Sequence, residues 1–285
     1  MSRVIVVAGP TASGKTALGI ELALSLNGEI VSADSMQIYR GMDIGTAKAT
    51  AEEQAAVRHH MIDIVDADED YSVSRYVDDA SVCCEDILSR GKIPVIVGGT
   101  GLYIDSLISG RTFSDRTEDE GLRRELSLRY DEIGGEEMLR ELSVFDPERA
   151  AKLAPADKKR IVRAMEIYAL TGVTITEHDL QTRALPPRYE AEYRILGLED
   201  RDALYGRIDA RVDRMIELGL VSEVERLLGT VPRTATSMQA IGYKEIVSYL
   251  DGETTLVSAV DTIKQSSRRY AKRQITWFKK YADCR

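Results

Sequence analysis

The sequence predicts an α/β chain: a parallel sheet joined by right-handed crossovers, carrying an all-helical insertion. Three observations predict it. The first third alternates short apolar runs with helical stretches, the order of consecutive βα units. From about Arg116 to Glu190 strand-like runs vanish and charged amphipathic segments follow one another. An apolar run then resumes at Tyr193, and long helical patterns fill the remainder. The core is therefore expected over residues 1–115 and 191–285, with the insertion at 116–190.

Val4–Ala8 is continuously apolar, as suits a parallel strand buried on both faces. Leu18, Leu22 and Leu26 mark the helix after it. Glu29–Ser32 reads as a second strand, Glu52–Arg58 as a helical stretch and His60–Val65 as a third strand. Ser72 caps a helix to Arg90. Ile93–Val97 is another buried strand, ended by Gly98-Gly99, and Leu102–Ile108 begins a helix. The insertion holds helices at Glu120–Tyr130, Glu136–Leu142, Pro147–Leu153 and Asp157–Leu170, the last capped by Asp157 and ended by Thr171-Gly172. Pro186-Pro187 marks the return, and Tyr193–Leu198 reads as a strand rejoining the sheet. Helices at Ala203–Leu218, Val221–Leu228, Tyr243–Leu250 and Thr255–Tyr281 complete the chain.

Composition narrows the function classes. At 285 residues, 44% hydrophobic and 30% charged, the chain can bury a large core, which excludes disordered and collagen-like classes. No apolar run reaches the roughly 20 residues of a membrane helix, and the start carries no secretory leader. Three cysteines, two of them adjacent (Cys83, Cys84) and one near the end (Cys284), make no disulfide framework. A reduced cytoplasm is the expected compartment. The net charge of −9 argues against nucleic acid, yet residues 264–280 hold seven basic residues and no acid, leaving the rest at −16. That asymmetry points to an anionic partner at one end. On a helical wheel the seven fall on one half, with Ile263, Tyr270, Ala271, Trp277 and Phe278 opposite, a basic stripe backed by a packed face. Trp277 is expected in the core.

Gly9-Pro10-Thr11-Ala12-Ser13-Gly14-Lys15-Thr16 fits G-x-x-x-x-G-K-[ST] between a strand and a helix, the pattern of a P-loop. Its glycines let backbone N–H groups face a diphosphate, and the helix N-terminus adds a positive dipole end. Lys15 can reach phosphate oxygens and the Thr16 hydroxyl can bind Mg²⁺. Asp34 follows the second strand, at the carboxyl end of the sheet where ligands bind; it suits a general base, a metal ligand or an Asx turn. Thr100, after the Gly98-Gly99 turn, can donate to a ligand there, or the glycines merely begin a helix. A kinase or ATPase usually places an acid near such a strand end, and none stands there. Lys158, Lys159 and Arg160 crowd a helix start, with Arg163 following; that position favours a bound phosphate or else a solvated face. His59, His60, Cys83 and Cys84 read as structural.

These stretches resemble the tRNA dimethylallyltransferases, also called isopentenyl-tRNA transferases. The matching segments are Gly9–Thr16, Asp34–Tyr39, Gly98–Tyr103, Ile241–Lys244 and Tyr270–Phe278. The P-loop is shared with many NTPases, but the other four in this order are specific. The resemblance implies a P-loop NTPase-like core with a helical insertion, in the compact bacterial form without a C-terminal zinc-finger extension. It implies Mg²⁺-assisted transfer of a dimethylallyl group from dimethylallyl diphosphate to N6 of the adenosine at tRNA position 37, in tRNAs reading codons that begin with U. Gly9, Thr11, Ala12, Ser13, Gly14, Lys15 and Thr16 would hold the donor, with Thr16 on the metal. Asp34, Lys15, Thr100 and Arg123 would be catalytic, with Asp34 as base. Asp34, Ser35, Met36, Gln37, Thr100 and Arg123 would meet the tRNA. So would Lys158, Lys159, Arg160, Arg163, Gln239, Gly242, Tyr243, Lys244, Lys272 and Arg273. The enzyme would be a cytoplasmic monomer acting on the anticodon stem-loop. The rival readings are a small-molecule P-loop kinase, which needs a nucleotide-base pocket, and an RNA-binding protein with a vestigial loop, against which the intact Lys15-Thr16 pair speaks.

Overall fold

In a computed structural model that describes residues 2–110, 119–184, 186–197 and 200–281, one sheet of five parallel strands sets the frame. The strands are β1 (Ser2–Ala8), β2 (Gly28–Ser32), β3 (His59–His60), β4 (Ile93–Gly98) and β5 (Tyr189–Ile195), in the order β3-β2-β4-β1-β5. Helix α1 (Lys15–Ser25) covers one face through Leu18, Leu22 and Leu26, which pack on Ile5, Val7, Ile30 and Val95. Gly19 lets α1 approach closely, since a Cβ there would stand 2.6 Å from the Val97 side chain. After α2 (Ala51–Ala56), α3 (Val73–Ser89) and α4 (Gly101–Ser109) bring Tyr76 and Tyr103 together, stacked 4.0 Å apart. The Tyr76 hydroxyl donates to the Ser32 carbonyl at the end of β2. As expected, Ser72 caps α3, accepting from Arg75 N–H.

The chain divides into two compact units, Met1–Ile108 with Arg188–Arg285, and Ser109–Pro187. The expected boundary at 115/116 lies outside the described residues, as do Leu198 and Cys284. In the first unit, α10 (Arg201–Glu217), α11 (Leu220–Leu228), α12 (Tyr243–Leu250) and α13 (Leu256–Phe278) build a second core with Ile38, Tyr39 and Met42. The second unit consists of α5 (Glu120–Ile133), α6 (Gly135–Phe145), α7 (Pro147–Ala150), α8 (Lys158–Thr171) and α9 (Ile175–Arg183), packed on Leu126, Met138, Leu142 and Ile161. No helix among the described residues is long and apolar enough to cross a membrane.

Several elements differ from expectation for identifiable reasons. The strand expected over His60–Val65 ends at His60, because Met61 and Asp63 take left-handed conformations (φ 63° and 54°) that break an extended chain. The segment turns instead to pair with residues 37–40, Ile64 N–H donating to Ile38 O. Strand β5 begins at Tyr189 rather than Tyr193. It lies at the sheet edge, where Glu190, Glu192 and Arg194 are tolerated, so its charge hid it. Helix α7 is one turn, shorter than Pro147–Leu153. Asp157 stands at the start of α8, but its carboxylate accepts backwards from Ala154 N–H and caps nothing in the helix. Helix α9 was not expected, although Thr174 and Glu177 form a capping box that the sequence displays.

At the other end of the sheet, Glu29 is buried and bonded to His60 Nε2 (2.8 Å), Arg90 Nη2 (2.7 Å) and Lys92 Nζ (2.8 Å). These bonds, Arg90 foremost, hold its carboxyl far below the usual carboxylate range despite burial. A depressed folded pKa contributes stability above the unfolded value of about 4.5, lost as pH falls toward the folded one. We predict that Glu29→Gln destabilises the protein toward the lower end of ~3–5 kcal/mol, since its partners keep some solvent. The loss should shrink in urea titrations taken progressively below pH ~4.5. An unchanged midpoint at neutral pH would show that the cluster is idle.

Candidate active site

Three strand ends converge to make the site. Between β1 and α1 the P-loop passes so near β5 that a Cβ on Gly9 would lie 2.4 Å from the Leu196 carbonyl. Gly14 takes φ +86° at the start of α1 and offers no side-chain cap, so the first amides of the helix stay available to an anion. The Ser13 hydroxyl is buried without a hydrogen-bond partner among the described residues, which fits a ligand oxygen. Lys15 donates to the Pro10 carbonyl at 2.6 Å. Burial of its ammonium end, and next the charge of Arg211, lower its pKa to about 8, with Asp34 pulling the other way.

Residues far along the chain hold the loop. Gln274 of α13 accepts from Thr11 N–H (2.9 Å) and donates to the Gly99 carbonyl (2.9 Å), joining the P-loop to the end of β4. From α10, Arg207 donates to the Ala12 carbonyl (3.1 Å) and Arg211 to Thr11 Oγ1 (3.0 Å). Burial depresses the Arg211 pKa, and Asp34 opposes that shift.

Asp34 stands just past β2. Its Oδ1 accepts from Met36 N–H (2.9 Å) and, more weakly, Gln37 N–H (3.4 Å), the Asx turn anticipated as one alternative. Oδ2 makes no hydrogen bond among the described residues. Thr100 accepts from Ser35 N–H at 3.1 Å, so it fastens the Asp34 loop to the start of α4 and lines neither cavity described next.

Two cavities meet at Asp34. The larger, about 1150 Å³, is walled by Thr11–Thr16, Gln37 and Arg211. The smaller, about 270 Å³, is walled by Ser35, Met36, Gln239, Gly242, Tyr243 and Tyr270. Asp34, Thr11 and Arg211 border both. Burial, then Asp34, pushes the Tyr270 hydroxyl up to about 12, so it is a neutral donor at physiological pH. The floor between the cavities is fixed by buried Glu223, which accepts from Asp43 N–H (3.0 Å), Ile44 N–H (2.8 Å), Gly45 N–H (3.1 Å) and Tyr243 Oη (2.6 Å).

The other sequence candidates divide. Lys244 is exposed, its ammonium 4.0 Å from Glu245. Arg123 and Arg163, in the second unit, both donate to buried Glu166 (3.1 and 2.9 Å). Lys158 is paired with Asp131, while Lys159 and Arg160 are exposed. The stripe on α13 is partly neutralised: Lys264 meets Asp213, Arg268 meets Asp209 and Lys280 meets Asp105. Lys272 and Arg273 stay exposed. Trp277 is not in the core. It is 40% exposed, because its indole N–H must reach a partner and finds Asp105 at 3.1 Å, at the rim. Sequence reasoning missed Arg207 and Arg211, which nothing local marks, and the part played by Gln274, although that residue stood within a matching segment.

The fold and this double cavity define a P-loop enzyme with an anion chamber opening onto a second, more apolar one. The chain belongs to the IPP transferase family, whose model matches residues 37–281; a model described as isopentenyl transferase matches residues 2–68. It is 46% identical over 277 residues to the tRNA dimethylallyltransferase of Oceanobacillus iheyensis, covering 97% of this chain and 88% of that one. It is 48% identical over 282 residues to that of Acetivibrio thermocellus, covering 98% and 90%. A crystal structure of the full-length tRNA isopentenylpyrophosphate transferase from Bacillus halodurans matches with TM-score 0.72 and 44% identity, over 99% of this chain and 88% of that one. A eukaryotic dimethylallyltransferase captured acting on tRNA matches with TM-score 0.84 and 31% identity, over 98% and 70%.

The lowered pKa of Lys15 carries a testable sign. Only protonated Lys15 attracts a diphosphate, and the bound anion raises its pKa. We predict that donor affinity falls about tenfold per pH unit above pH ~8. Binding near pH 8.5 should take up protons, measured by calorimetry in buffers of different ionisation enthalpy. Lys15→Met should abolish the uptake; uptake persisting in that variant would assign it to another group.

Proposed function

We propose that this chain transfers a dimethylallyl group from dimethylallyl diphosphate to N6 of the adenosine at position 37 of tRNA, in tRNAs reading codons that begin with U. The observation that carries the reading is the position of Asp34 between an anion-binding cavity and a smaller chamber. The P-loop amides, Lys15 and Arg211 hold the diphosphate in the first. The target base, turned out of the anticodon stack, enters the second beside Tyr270 and Tyr243.

The adenine amine is a weak nucleophile because its lone pair is delocalised into the ring. The allylic carbon compensates by tolerating positive charge as its bond to oxygen breaks. The N6 lone pair forms the new N–C bond while the diphosphate departs with the C–O electron pair. Lys15, Arg211 and the loop amides stabilise the charge that grows on the leaving oxygens. The N6 proton passes to the free oxygen of Asp34, whose other oxygen is fixed by the Met36 amide. Thr16 would hold Mg²⁺ at the cavity wall, where it would neutralise diphosphate charge; the Thr16 hydroxyl and the Asp34 carboxylate line the same cavity and offer the oxygen ligands that suit a hard cation. Thr100 acts through Ser35 as a positioning residue. Lys272 and Arg273 meet the tRNA backbone on the first unit, and Lys159 and Arg160 offer contacts on the second. The kinase reading lacks the acid such an enzyme usually places beyond this strand end, where Gly98, Gly99 and Thr100 follow β4.

The deciding experiment is incubation with dimethylallyl diphosphate, Mg²⁺ and unmodified tRNA, with nucleosides analysed by mass. Diphosphate should compete with the donor, and ATP should not be consumed. Robust tRNA-stimulated ATP hydrolysis without prenyl transfer would defeat the reading. Asp34→Asn should slow the single-turnover rate by ~10²–10⁴ while tRNA affinity changes little; a rate near wild type removes Asp34 from the role of base. Replacing Lys272 and Arg273 together by Gln should weaken tRNA binding and reduce its salt slope by about 0.7–0.9 per lost phosphate contact. An unchanged slope would mean that the tRNA backbone docks elsewhere.

A further inference from the structure

The rim of α13 has a feature that transfer itself does not require. Trp277, the chain's single tryptophan, is 40% exposed although its ring is held as firmly as a core residue. Its N–H donates to Asp105, which also accepts from Lys280 Nζ and, at 2.6 Å, from Tyr281 Oη. Gly101 lies directly against it, and a Cβ there would stand 2.3 Å from the indole. An aromatic ring fixed at the surface among cations is expensive to leave in water and well made for stacking.

An open groove of about 520 Å³ runs over this ring, lined by Lys272, Arg273, Thr276, Trp277 and Lys280. Among the described residues its walls carry no acid. Arg273 also lines the smaller chamber beside Asp34, so groove and chamber share a wall. Arg273 and Trp277 stand one turn apart on the same side of α13.

We propose that this groove holds the nucleotide next to the target adenosine, its base against Trp277 and its phosphate on Lys272 and Arg273. This rests on the reading of the chamber as the seat of the flipped base. A base drawn out of an RNA stack leaves its neighbour unstacked, and an aromatic ring at the chamber mouth replaces the lost contact. Asp105 is a positioning residue: it fixes the ring through the indole N–H and holds Lys280 Nζ over the ring, 5.0 Å from its centroid, where the incoming base would displace it.

Because Trp277 is the sole tryptophan, its fluorescence reports the groove directly. Titration with an unmodified anticodon stem-loop RNA should quench it with the same midpoint as RNA binding measured by filter retention. Dimethylallyl diphosphate alone should leave it unchanged. Trp277→Ala should weaken RNA binding by about 5–150-fold, Trp277→Phe much less, and both should bind the donor as wild type does. An RNA abasic on both sides of the target should bind without quenching. If RNA binds and is prenylated while the fluorescence stays constant and Trp277→Ala binds normally, the groove assignment falls and the transferase reading stands. Quenching that persists with the abasic RNA also overturns the stacked base. If RNA is neither bound nor prenylated, both readings fall.

Discussion

A single buried amide joins the parts that do chemistry. Gln274 accepts a hydrogen bond from the P-loop at Thr11 and donates one to the backbone beyond β4 at Gly99. Both partners are main-chain groups at turns, where no strand or helix would satisfy them, so the side chain serves as a rung between two loops. The bond also fixes the rotation of α13 about its axis. Tyr270 lies one turn before and is thereby turned to the inner chamber, Arg273 sits at the border, and Trp277 emerges at the rim. Remove that rung and the loop, the strand end and the exposed side of the helix lose their common reference.

The same economy governs charge. Burial lowers the pKa of both Lys15 and Arg211, the charge of Arg211 lowers Lys15 further, and Asp34 is the anion that opposes both shifts. An empty site therefore contains two cations short of counter-charge, an arrangement that favours a diphosphate entering over one already relaxed in water. Glu29 shows the contrasting solution. There the carboxylate is surrounded by more positive partners than it needs, and the result is a fastening of β2, β3 and the end of α3.

How much of this was legible in sequence depends on whether a residue's role is local. Val4–Ala8 and Ile93–Val97 are buried on both faces, so their apolar runs announced them, and the P-loop announced itself because its work is done by consecutive backbone groups. The edge strand from Tyr189 was obscured by Glu190 and Glu192, which an outer strand can carry. His60–Val65 looked extended until two left-handed residues turned it. Asp34 was found from its position after a strand. Arg211 was not, because its place at the loop is set by the packing of α10 on α13, a tertiary fact with no local pattern. Trp277 was misplaced because a wheel sorts residues by polarity and ignores the one N–H that must find a partner.

The point where the chain leaves and re-enters the first unit has a further meaning. Arg188 N–H donates to the Ile108 carbonyl at 2.8 Å, so the two ends of the intervening 109–187 unit are clasped side by side. Closing a loop costs entropy mainly in bringing its ends together, and here the core has already done so. The helical unit has its own apolar centre. Replacing the unit by a short turn would cost the sheet little chain entropy, because its two attachment points already meet.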